Sequence, residues 1–308
     1  MSEQAVVAMG VHVLDVLVRP VTEIPEGQGG ALVEEIRMTA AGSAGGTALV
    51  LSRLGASVRS AGAIGTDALG DALLAALERD GVDTTHLLRR EHVQTSASVL
   101  PIRPDGSRPA LHCVGANAGY GAADVTDAVL DGATHLHLGG PEFMGGEAAA
   151  AVLERARARG ITTSADVLAP GDMGVLDWIA GALEQLDYFL PNDEQVMGFT
   201  GTDDLEEGCH ALLARGVGCV AATRGGDGVL VVGADGGVES VPAAEGVSVV
   251  DTTGCGDAFS AGFLRGLALG RDRAGAARLG CAVAGVVAGG LGSDHGVYDL
   301  ATFEESAA

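Results

Sequence analysis

Short apolar runs alternate with amphipathic stretches along most of the chain. The strand-like run AVVAMG (5–10) is rich in Val and Ala, whereas in LGDALLAALERDG (69–81) the apolar residues recur at helical spacing. The same alternation continues through TALVLSRLG (47–55), VRSAGAIG (58–65), THLHLG (134–139), EAAAAVLERARARG (147–160), ITTSADV (161–167), LDYFLPN (186–192), LEEGCHALLARGV (205–217) and CVAATRG (219–225). This order predicts an α/β fold with a mostly parallel central sheet flanked by helices.

Two parts of the chain break this alternation. Residues 11–38 have the pattern of extended segments, and residues 96–115 indicate a hairpin around the turn residues Pro104, Asp105, Gly106 and Ser107. Because neither part contains a crossover helix, we expect both to form a small β-sheet that covers a ligand cleft as a lid. We place this lid in about residues 11–40 and 86–115 of a single domain that spans residues 1–308.

Composition and charge narrow the classes of partner. The formal net charge of −23 disfavours nucleic acid and anionic membrane surfaces, because both would be repelled. No apolar run approaches the ~20 residues of a membrane span, and the N-terminal residues lack the features of a signal peptide, so a cytoplasmic protein is expected. Five cysteines without a C-x-x-C pair indicate a reducing compartment and neither a disulfide framework nor a structural zinc site.

The chain contains no lysine, so all 18 of its basic residues are arginine. This excludes a Walker A loop, a Schiff-base lysine and the β3 lysine of protein kinases. A bound phosphate must therefore be held by backbone N–H groups, arginine or metal. A Rossmann dehydrogenase is also excluded, because no G-x-G-x-x-G follows the first strand.

The stretch DTTGCGDAFSAG (251–262) has the strongest chemical signal. We expect Val249 and Val250 to end a strand and a helix to begin at about Asp257, with Gly254 and Gly256 at its N-terminus. Free N–H groups and the positive end of the helix dipole bind anions there, and glycines let a phosphate approach the backbone. On these residues alone, Asp257 fits either a helix cap or a catalytic base.

This stretch closely resembles the D-T-x-G-A-G-D signature of the ribokinase, or PfkB, family of carbohydrate kinases, with Cys255 where the family usually has alanine. Other segments resemble the family in the same order. They are GVHVLD (10–15), the loop AGSAGG (41–46), GAIGTDALG (62–70), GANA (115–118), PN (191–192) and TRGGDG (223–228). The resemblance spans about residues 5–296 and implies a ribokinase-like fold and transfer of the γ-phosphoryl group of ATP, with Mg²⁺, to a hydroxyl of a small sugar.

The resemblance also implies roles for individual residues. Asp257 would be the catalytic base, beside an anion hole formed by the N–H groups of Gly254, Cys255 and Gly256. The substrate would be bound by Asp15, Gly42, Ser43, Gly46 and Asn117. The nucleotide would be bound by Asn192, Thr223, Gly225 and Gly228. Asp251 and Thr253, with carbonyls of the loop AGGLGS (288–293), resemble a site for a monovalent cation such as K⁺, and a homodimer through the lid is a further expectation.

Four positions depart from the family pattern. Ala41 and Gly46 stand where glycine and asparagine are common, Gln195 replaces the glutamate of N-x-x-E, and His12 replaces a polar residue of ribokinase itself. If the missing glutamate has a metal role, Asp193 or Glu194 would have to supply it. The departures leave a nucleoside kinase and a catalytically silent binding protein as alternatives, although scarce aromatic residues (3%) favour a sugar and an intact Asp257 favours catalysis.

Three further groups have both an ordinary and a functional interpretation. His135 and His137 share one face of a predicted strand, and we expect core or cleft residues because no third metal ligand is evident. Cys255 is expected to be a small packing residue more than a reactive thiol. Lid arginines at 37, 103 and 108 are ordinary surface charges or ligands for an anion.

Overall fold

A computed structural model describes residues 4–104 and 106–304 of the protein. Its strands are β1 (Ala5–Gly10), β2 (Val13–Arg19), β3 (Glu35–Ala41), β4 (Ser57–Gly65), β5 (Asp83–Arg90), β6 (Ala97–Pro101), β7 (Leu111–Cys113), β8 (His135–Gly139), β9 (Thr162–Asp166), β10 (Tyr188–Phe189), β11 (Cys219–Thr223), β12 (Val229–Gly233) and β13 (Val238–Val241). Its α-helices are α1 (Ser43–Arg53), α2 (Ala68–Arg79), α3 (Asp127–Leu130), α4 (Pro141–Met144), α5 (Gly146–Arg157), α6 (Met173–Trp178), α7 (Ala180–Leu183), α8 (Asp193–Thr200), α9 (Leu205–Leu213), α10 (Cys255–Ala268), α11 (Arg273–Ala288) and α12 (Leu300–Glu304).

The large sheet has nine strands in the order β13-β12-β11-β10-β9-β8-β1-β4-β5. Its strands from β11 to β5 pair in parallel, whereas β12 and β13 are added antiparallel at one edge. The mostly parallel sheet predicted from the alternating pattern is therefore confirmed. The antiparallel edge was not predicted, nor was α11.

Helices cover both faces of this sheet. Along β1, Val6 and Ala8 pack into one apolar cluster with residues of α1, α10 and α11, while Val7 and Met9 pack into a second cluster with residues of α5 and α9. Successive side chains of a strand point to opposite faces, so β1 is buried from both sides. This explains why its sequence is apolar without alternation.

The lid is a separate sheet of four strands in the order β3-β2-β6-β7. The predicted hairpin is present as the antiparallel pair β6 and β7, but Asp105 of its predicted turn lies outside the described residues. The predicted lid range 86–115 begins too early, because β5 pairs with β4 and so belongs to the large sheet. Its sequence has no signal that separates an edge strand of the large sheet from a lid strand.

The loop before the signature stretch also differs from the prediction. Val249 and Val250 lie outside any strand, and Val249 is exposed, so a loop leads into Asp251. The helix begins two residues earlier than expected, at Cys255, with Gly254 as its N-cap. Within the described residues, no helix has both the length and the apolar character needed to cross a membrane.

Candidate active site

Most of the predicted site residues lie at the carboxyl edge of the large sheet. There β9 ends at Asp166, β11 ends at Thr223, and Asn192 follows β10 as the N-cap of α8. The chain moves outward from β1 in two directions, first through β4 and β5 and later through β8 and β9. In open α/β sheets, ligands bind at this kind of switch point.

Two cavities adjoin at this edge. The acid cavity has a volume of about 210 Å³ and is lined by Asp15, Ala41, Gly42, Ser43, Asp166, Val167, Leu168, Leu190, Asn192, Gln195, Thr223, Thr253, Gly254, Gly256, Asp257 and Ser293. The apolar cavity has a volume of about 400 Å³ and is lined by Thr223, Gly225, Gly226, Gly228, Ala243, Ala244, Gly246, Val247, Val249, Thr252, Cys255, Gly256, Phe259, Cys281, Ala284, Gly285 and Ala288. Thr223 and Gly256 line both, so the two cavities meet at the N-terminus of α10.

Asp257 projects into the acid cavity from the first turn of α10. It packs closely against Gly46 of α1, where an added Cβ would overlap the Asp257 carboxylate. Burial raises the pKa of Asp257 well above its ordinary value, repulsion from Asp166 and Asp15 raises it further, and Arg108 opposes the shift. A raised pKa suits a base that must accept a proton near neutral pH.

The backbone beside Asp257 provides free donors. Within residues 4–104 and 106–304, the N–H groups of Gly254, Gly256 and Asp257 have no hydrogen-bond acceptor. Cys255 differs from the prediction, because its N–H donates to the carbonyl of Thr252 (3.2 Å). The free donors at this helix start, among the described residues, are therefore the N–H groups of Gly254, Gly256 and Asp257, the last of which was not among the predicted donors. Gly254 holds the required left-handed conformation (φ 78°).

The lid contributes Asp15 from β2. Strand register places Thr39, Asp15 and Ser98 in one row across the sheet, and Asp15 lines the acid cavity, so this row faces the cleft. Ser98 in turn bonds to His112 (Oγ to Nδ1, 3.0 Å). Burial raises the pKa of Asp15 to about 6, and Ser98 and Arg108 oppose that shift. Its carboxylate is thus poised to accept hydrogen bonds from a ligand's hydroxyl groups.

The other predicted substrate residues divide into two groups. Gly42 and Ser43 line the acid cavity, and the buried Ser43 hydroxyl has no hydrogen-bond partner within the described residues. Asn117 lies elsewhere, because its amide oxygen and nitrogen are both bonded to the backbone of His12 (3.2 and 3.0 Å). Asn117 thus fixes the loop after β1 and is not among the residues that line the acid cavity, so its substrate role stays a prediction.

Asp166 is a functional candidate that sequence reasoning missed. It ends β9, lines the acid cavity and raises the pKa of Asp257 in addition to the effect of burial. Its Oδ1 is buried without a hydrogen bond within the described residues, and the nearest ring nitrogen of His137 is 3.7 Å away. An acid at the carboxyl end of a predicted parallel strand was the available signal.

Gln195 has a structural role where the family pattern has glutamate. Its Oε1 accepts from the N–H of Asn192 (2.9 Å), and Asn192 Oδ1 accepts from the N–H of Gln195 (2.8 Å), which forms a capping box. The Gln195 amide also donates to the carbonyls of Val167 (2.9 Å) and Ala169 (3.0 Å). Gln195 therefore fastens the loop that follows Asp166 to the start of α8.

The predicted nucleotide residues lie around the junction. Thr223, Gly225 and Gly228 line the apolar cavity, while Asn192 lines the acid cavity and bridges to Thr223 through the backbone. The glycines leave the backbone accessible, and Phe259 contributes apolar surface to the same wall. The lining of this cavity is mostly apolar, and the cavity meets the acid cavity at Thr223 and Gly256.

Asp251 and Thr253, the predicted cation ligands, form part of the loop before α10. Asp251 Oδ1 accepts from both the N–H (3.1 Å) and the hydroxyl (2.8 Å) of Thr253, and Oδ2 accepts from the N–H of Gly292 (3.3 Å). The side chain of Asp251 is fully buried, and Arg108 Nε lies 3.5 Å from its Oδ1. The buried Asp251 carboxylate thus fixes this loop through its hydrogen bonds with Thr253 and Gly292.

The remaining candidates have ordinary surroundings. Cys255 Sγ lies 3.7 Å from the carbonyl of Ala284, and burial raises the pKa of its thiol to about 12, with Asp251 and Asp257 adding to the shift. His135 and His137 both bond to Ser164 Oγ (2.7 and 2.9 Å). Within the described part of the chain, no three His, Cys, Asp or Glu residues are grouped as a metal site.

Comparison with known proteins places these features in a family. The model of the pfkB family of carbohydrate kinases matches residues 6–298. An ATP-dependent ribose-1-phosphate kinase from Halopiger xanaduensis is 31% identical over 251 residues, which cover 81% of this chain and 80% of that protein. A nucleoside kinase from Methanothermobacter thermautotrophicus is 26% identical over 301 residues, which cover 97% of this chain and 94% of that protein.

Solved structures show the same fold. An E. coli protein provisionally called Ribokinase II, solved in complex with ATP and Mg²⁺, superposes with a TM-score of 0.85 at 22% identity and covers 98% of both chains. At this identity the likeness establishes the ribokinase-like fold. The fold class predicted from the sequence is therefore confirmed, including the small separate sheet.

Proposed function

Because this chain belongs to the pfkB family of carbohydrate kinases, we propose that it transfers the γ-phosphoryl group of ATP to a hydroxyl of a small sugar. The observation that carries this proposal is the pairing of Asp257 with unsatisfied backbone N–H groups at the junction of the two cavities. A carboxylate there can accept a proton while the N–H groups bind phosphoryl oxygens.

The reaction follows from this arrangement. The sugar lies in the acid cavity with its hydroxyls against Asp15 and Ser43, and ATP lies in the apolar cavity with its phosphates at Gly256. As the sugar oxygen bonds to the γ-phosphorus, the bond from that phosphorus to the bridging oxygen of ADP breaks. Asp257 accepts the hydroxyl proton, and the N–H groups of Gly254 and Gly256 stabilise charge on the transferred group.

Asp166 fits Mg²⁺. Its Oδ1 is a buried carboxylate oxygen without a hydrogen bond within the described residues and lies in the acid cavity beside the junction. Mg²⁺ is bound by one or two carboxylates together with substrate phosphates, so a site with a single free carboxylate suffices. When bound, the ion would neutralise charge on the phosphates of ATP. Asp166 would hold the ion, since the uncharged Gln195 stands where the family pattern has glutamate and Asp193 and Glu194 do not line either cavity.

The acid cavity favours a neutral sugar as acceptor. Three carboxylates line it, from Asp15, Asp166 and Asp257, and they would repel an acceptor that already carries a phosphate. No aromatic side chain is found among the described residues that line this cavity, so it offers no stacking platform for the base of a nucleoside. Its volume of about 210 Å³ also suits a single sugar ring.

A coupled ADP-release assay tests this function. The purified protein, with ATP and Mg²⁺, is screened against pentoses, hexoses, their monophosphates and nucleosides. We expect turnover with at least one neutral sugar at a higher kcat/KM than with its phosphate or with any nucleoside. Turnover with nucleosides alone would contradict the sugar assignment, and nucleotide binding without turnover of any acceptor would favour the silent binding protein.

The residues do not fit the K⁺ site that the family resemblance implied. Both carboxylate oxygens of Asp251 already accept hydrogen bonds, from Thr253 and Gly292, and the guanidinium of Arg108 lies 3.5 Å from Oδ1. A second cation at the same oxygen would be repelled by that guanidinium. The proposed reaction therefore has no step that uses a monovalent cation.

We also propose that two copies pair through the lid. Register places Met38, Val16, Val99 and Leu111 in one row on the face opposite Asp15, and Met38, Val99 and Leu111 are 58%, 42% and 64% exposed. A contiguous apolar row on an exposed sheet face favours association. Sedimentation should show a dimer that Val99→Glu converts to a monomer, and a monomeric wild-type protein would contradict the proposal.

A further inference from the structure

One arginine of the lid reaches the junction of the two cavities. Arg108 lies between β6 and β7, and its Nε is 3.4 Å from Thr252 Oγ1 and 3.5 Å from Asp251 Oδ1. Thr252 lines the apolar cavity, and Asp251 begins the loop that leads to the N-terminus of α10. The guanidinium therefore lies beside the backbone that would receive the transferred phosphoryl group.

The charge of Arg108 acts on both sides of this junction. Burial raises the pKa values of Asp257, Asp15 and Cys255, and Arg108 opposes the shift in all three. Asp257 and Asp15 line the acid cavity, whereas Cys255 lines the apolar cavity. Arg108 is therefore within electrostatic reach of residues on both sides of the junction.

The contact with Asp251 holds the guanidinium of Arg108 in place and leaves some of the guanidinium's N–H donors free for a ligand. Asp251 is fully buried and fixed by Thr253, so it is a rigid anchor for Nε. A guanidinium has five N–H donors in a planar fork, and the contacts with Asp251 and Thr252 both use Nε. The two terminal nitrogens can therefore bind a phosphate while Nε stays in place.

The other lid arginines do not share this position. Arg37 pairs with Asp294 (3.0 Å), and Arg103 donates to the hydroxyl of Ser107 (3.2 Å). Since the chain has no lysine, a cationic side chain that binds phosphate must be an arginine. Arg108 is the lid arginine whose surroundings fit that task.

We propose that Arg108, anchored by Asp251, binds the phosphoryl group while it passes from ATP to the acceptor. This rests on the proposed kinase function and adds a cationic side chain to its backbone anion site. A planar guanidinium matches the geometry of phosphate oxygens and stabilises the charge they carry during transfer.

Binding measurements with two nucleotides test the proposal without an acceptor. Calorimetry in the presence of Mg²⁺ compares ADP with AMP-PNP, which keeps a γ-phosphate, for wild type, Arg108→Gln and the control Arg103→Gln. Loss of a hydrogen bond to a charged group predicts that Arg108→Gln weakens AMP-PNP binding about 10- to 100-fold. ADP binding should stay nearly unchanged, Arg103→Gln should behave as wild type, and Arg108→Lys should fall between.

Several outcomes would overturn the assignment. Unchanged AMP-PNP binding in Arg108→Gln, with a normal melting temperature, would show that Arg108 does not contact the γ-phosphate, and so would equal losses for ADP and AMP-PNP. Weaker binding of ribose 1-phosphate but not of AMP-PNP would place Arg108 on an acceptor phosphate instead. A wild-type protein that binds neither nucleotide would contradict the kinase function itself, which separates the two failures.

Discussion

The two adjoining cavities are built from opposite chemistry. The acid cavity has carboxylates from Asp15, Asp166 and Asp257 in about 210 Å³, whereas the described residues that line the 400 Å³ apolar cavity include none with a charged side chain. Burial, and then repulsion from Asp166 and Asp15, raises the pKa of Asp257, and clustered carboxylates of this kind are typical of functional sites. The comparison teaches that charged side chains lie on the acceptor side and, with Arg108, at the junction, whereas the body of the nucleotide cavity offers apolar surface and backbone.

Apart from the loss of Asp257 itself, the largest effect is expected at Gly46, where the acid cavity leaves no room for a side chain. A methyl group at Gly46 would overlap the Asp257 carboxylate, so Gly46→Ala must displace the base. A misplacement of about 1 Å costs on the order of 10²-fold in rate, and we expect kcat to fall by about that factor. Gly181→Ala is the control, because its methyl group would make only an ordinary contact with Ala150 (3.4 Å). Equal activities of the two variants would contradict the role of Gly46.

Asp15→Asn should change the KM for the sugar and not the KM for ATP. Loss of the charged acceptor of hydrogen bonds should raise the KM for the sugar about 10- to 100-fold and leave the KM for ATP nearly unchanged. Steady-state kinetics with each substrate varied in turn measures the difference. Equal increases in both KM values would show that Asp15 does not belong to the acceptor side.

The same variant has a predicted effect on stability. Burial raises the pKa of Asp15 from 3.8 to about 6, so between these values the unfolded chain loses a proton that the folded chain keeps. Stability therefore falls as the pH rises through this window, and the loss is complete above it. Asp15→Asn should melt at a higher temperature than wild type near pH 7 and at the same temperature near pH 4. A lower melting temperature near pH 7 would contradict the burial of this charge.

A change in the apolar cavity should have the reverse kinetic signature. Ala284→Leu fills part of that cavity and should raise the KM for ATP about tenfold while the KM for the sugar stays nearly unchanged. Ala282→Leu is a matched control on α11, because Ala282 lines a neighbouring groove and not the apolar cavity. A larger effect on the sugar than on ATP would reverse the assignment of the two cavities.

The smallest effect on turnover is expected when the monovalent cation in solution is changed. Because Asp251 is bonded to Thr253 and lies beside Arg108, replacing K⁺ by Na⁺ or tetramethylammonium at constant ionic strength should leave turnover nearly unchanged. Strong activation by K⁺ alone would contradict the conclusion that the residues around Asp251 do not fit a monovalent cation. That result would also weaken the proposed anchor of Arg108.

The sequence predicted more of the fold than of the site. Apolar runs and helical periodicity were sufficient for the parallel sheet, because the pattern is local and repeated in every β-α unit. The place of β5 was wrong, because pairing with β4 depends on contacts that its own residues do not encode. The short antiparallel strands β12 and β13 had no crossover helix to separate them and were missed.

In the site, the residues of one continuous segment were predicted best. Gly254, Gly256 and Asp257 lie together because they share one helical turn. The bond between Asn117 and the backbone of His12 could not be predicted, because the two residues are 105 positions apart in the sequence. The acid cavity itself brings Asp15, Asp166 and Asp257 together from three distant elements, and that cluster exists only after folding.

The central claim is that Asp257 is the catalytic base, and Asp257→Asn tests it most directly. Asparagine keeps the size of the side chain but cannot accept the proton, so turnover on the identified sugar should fall about 10²- to 10⁴-fold. AMP-PNP binding should persist, and the melting temperature near pH 7 should rise, because burial raises the pKa of Asp257 well above its ordinary value. Near-native turnover by a normally folded Asp257→Asn protein would contradict the account.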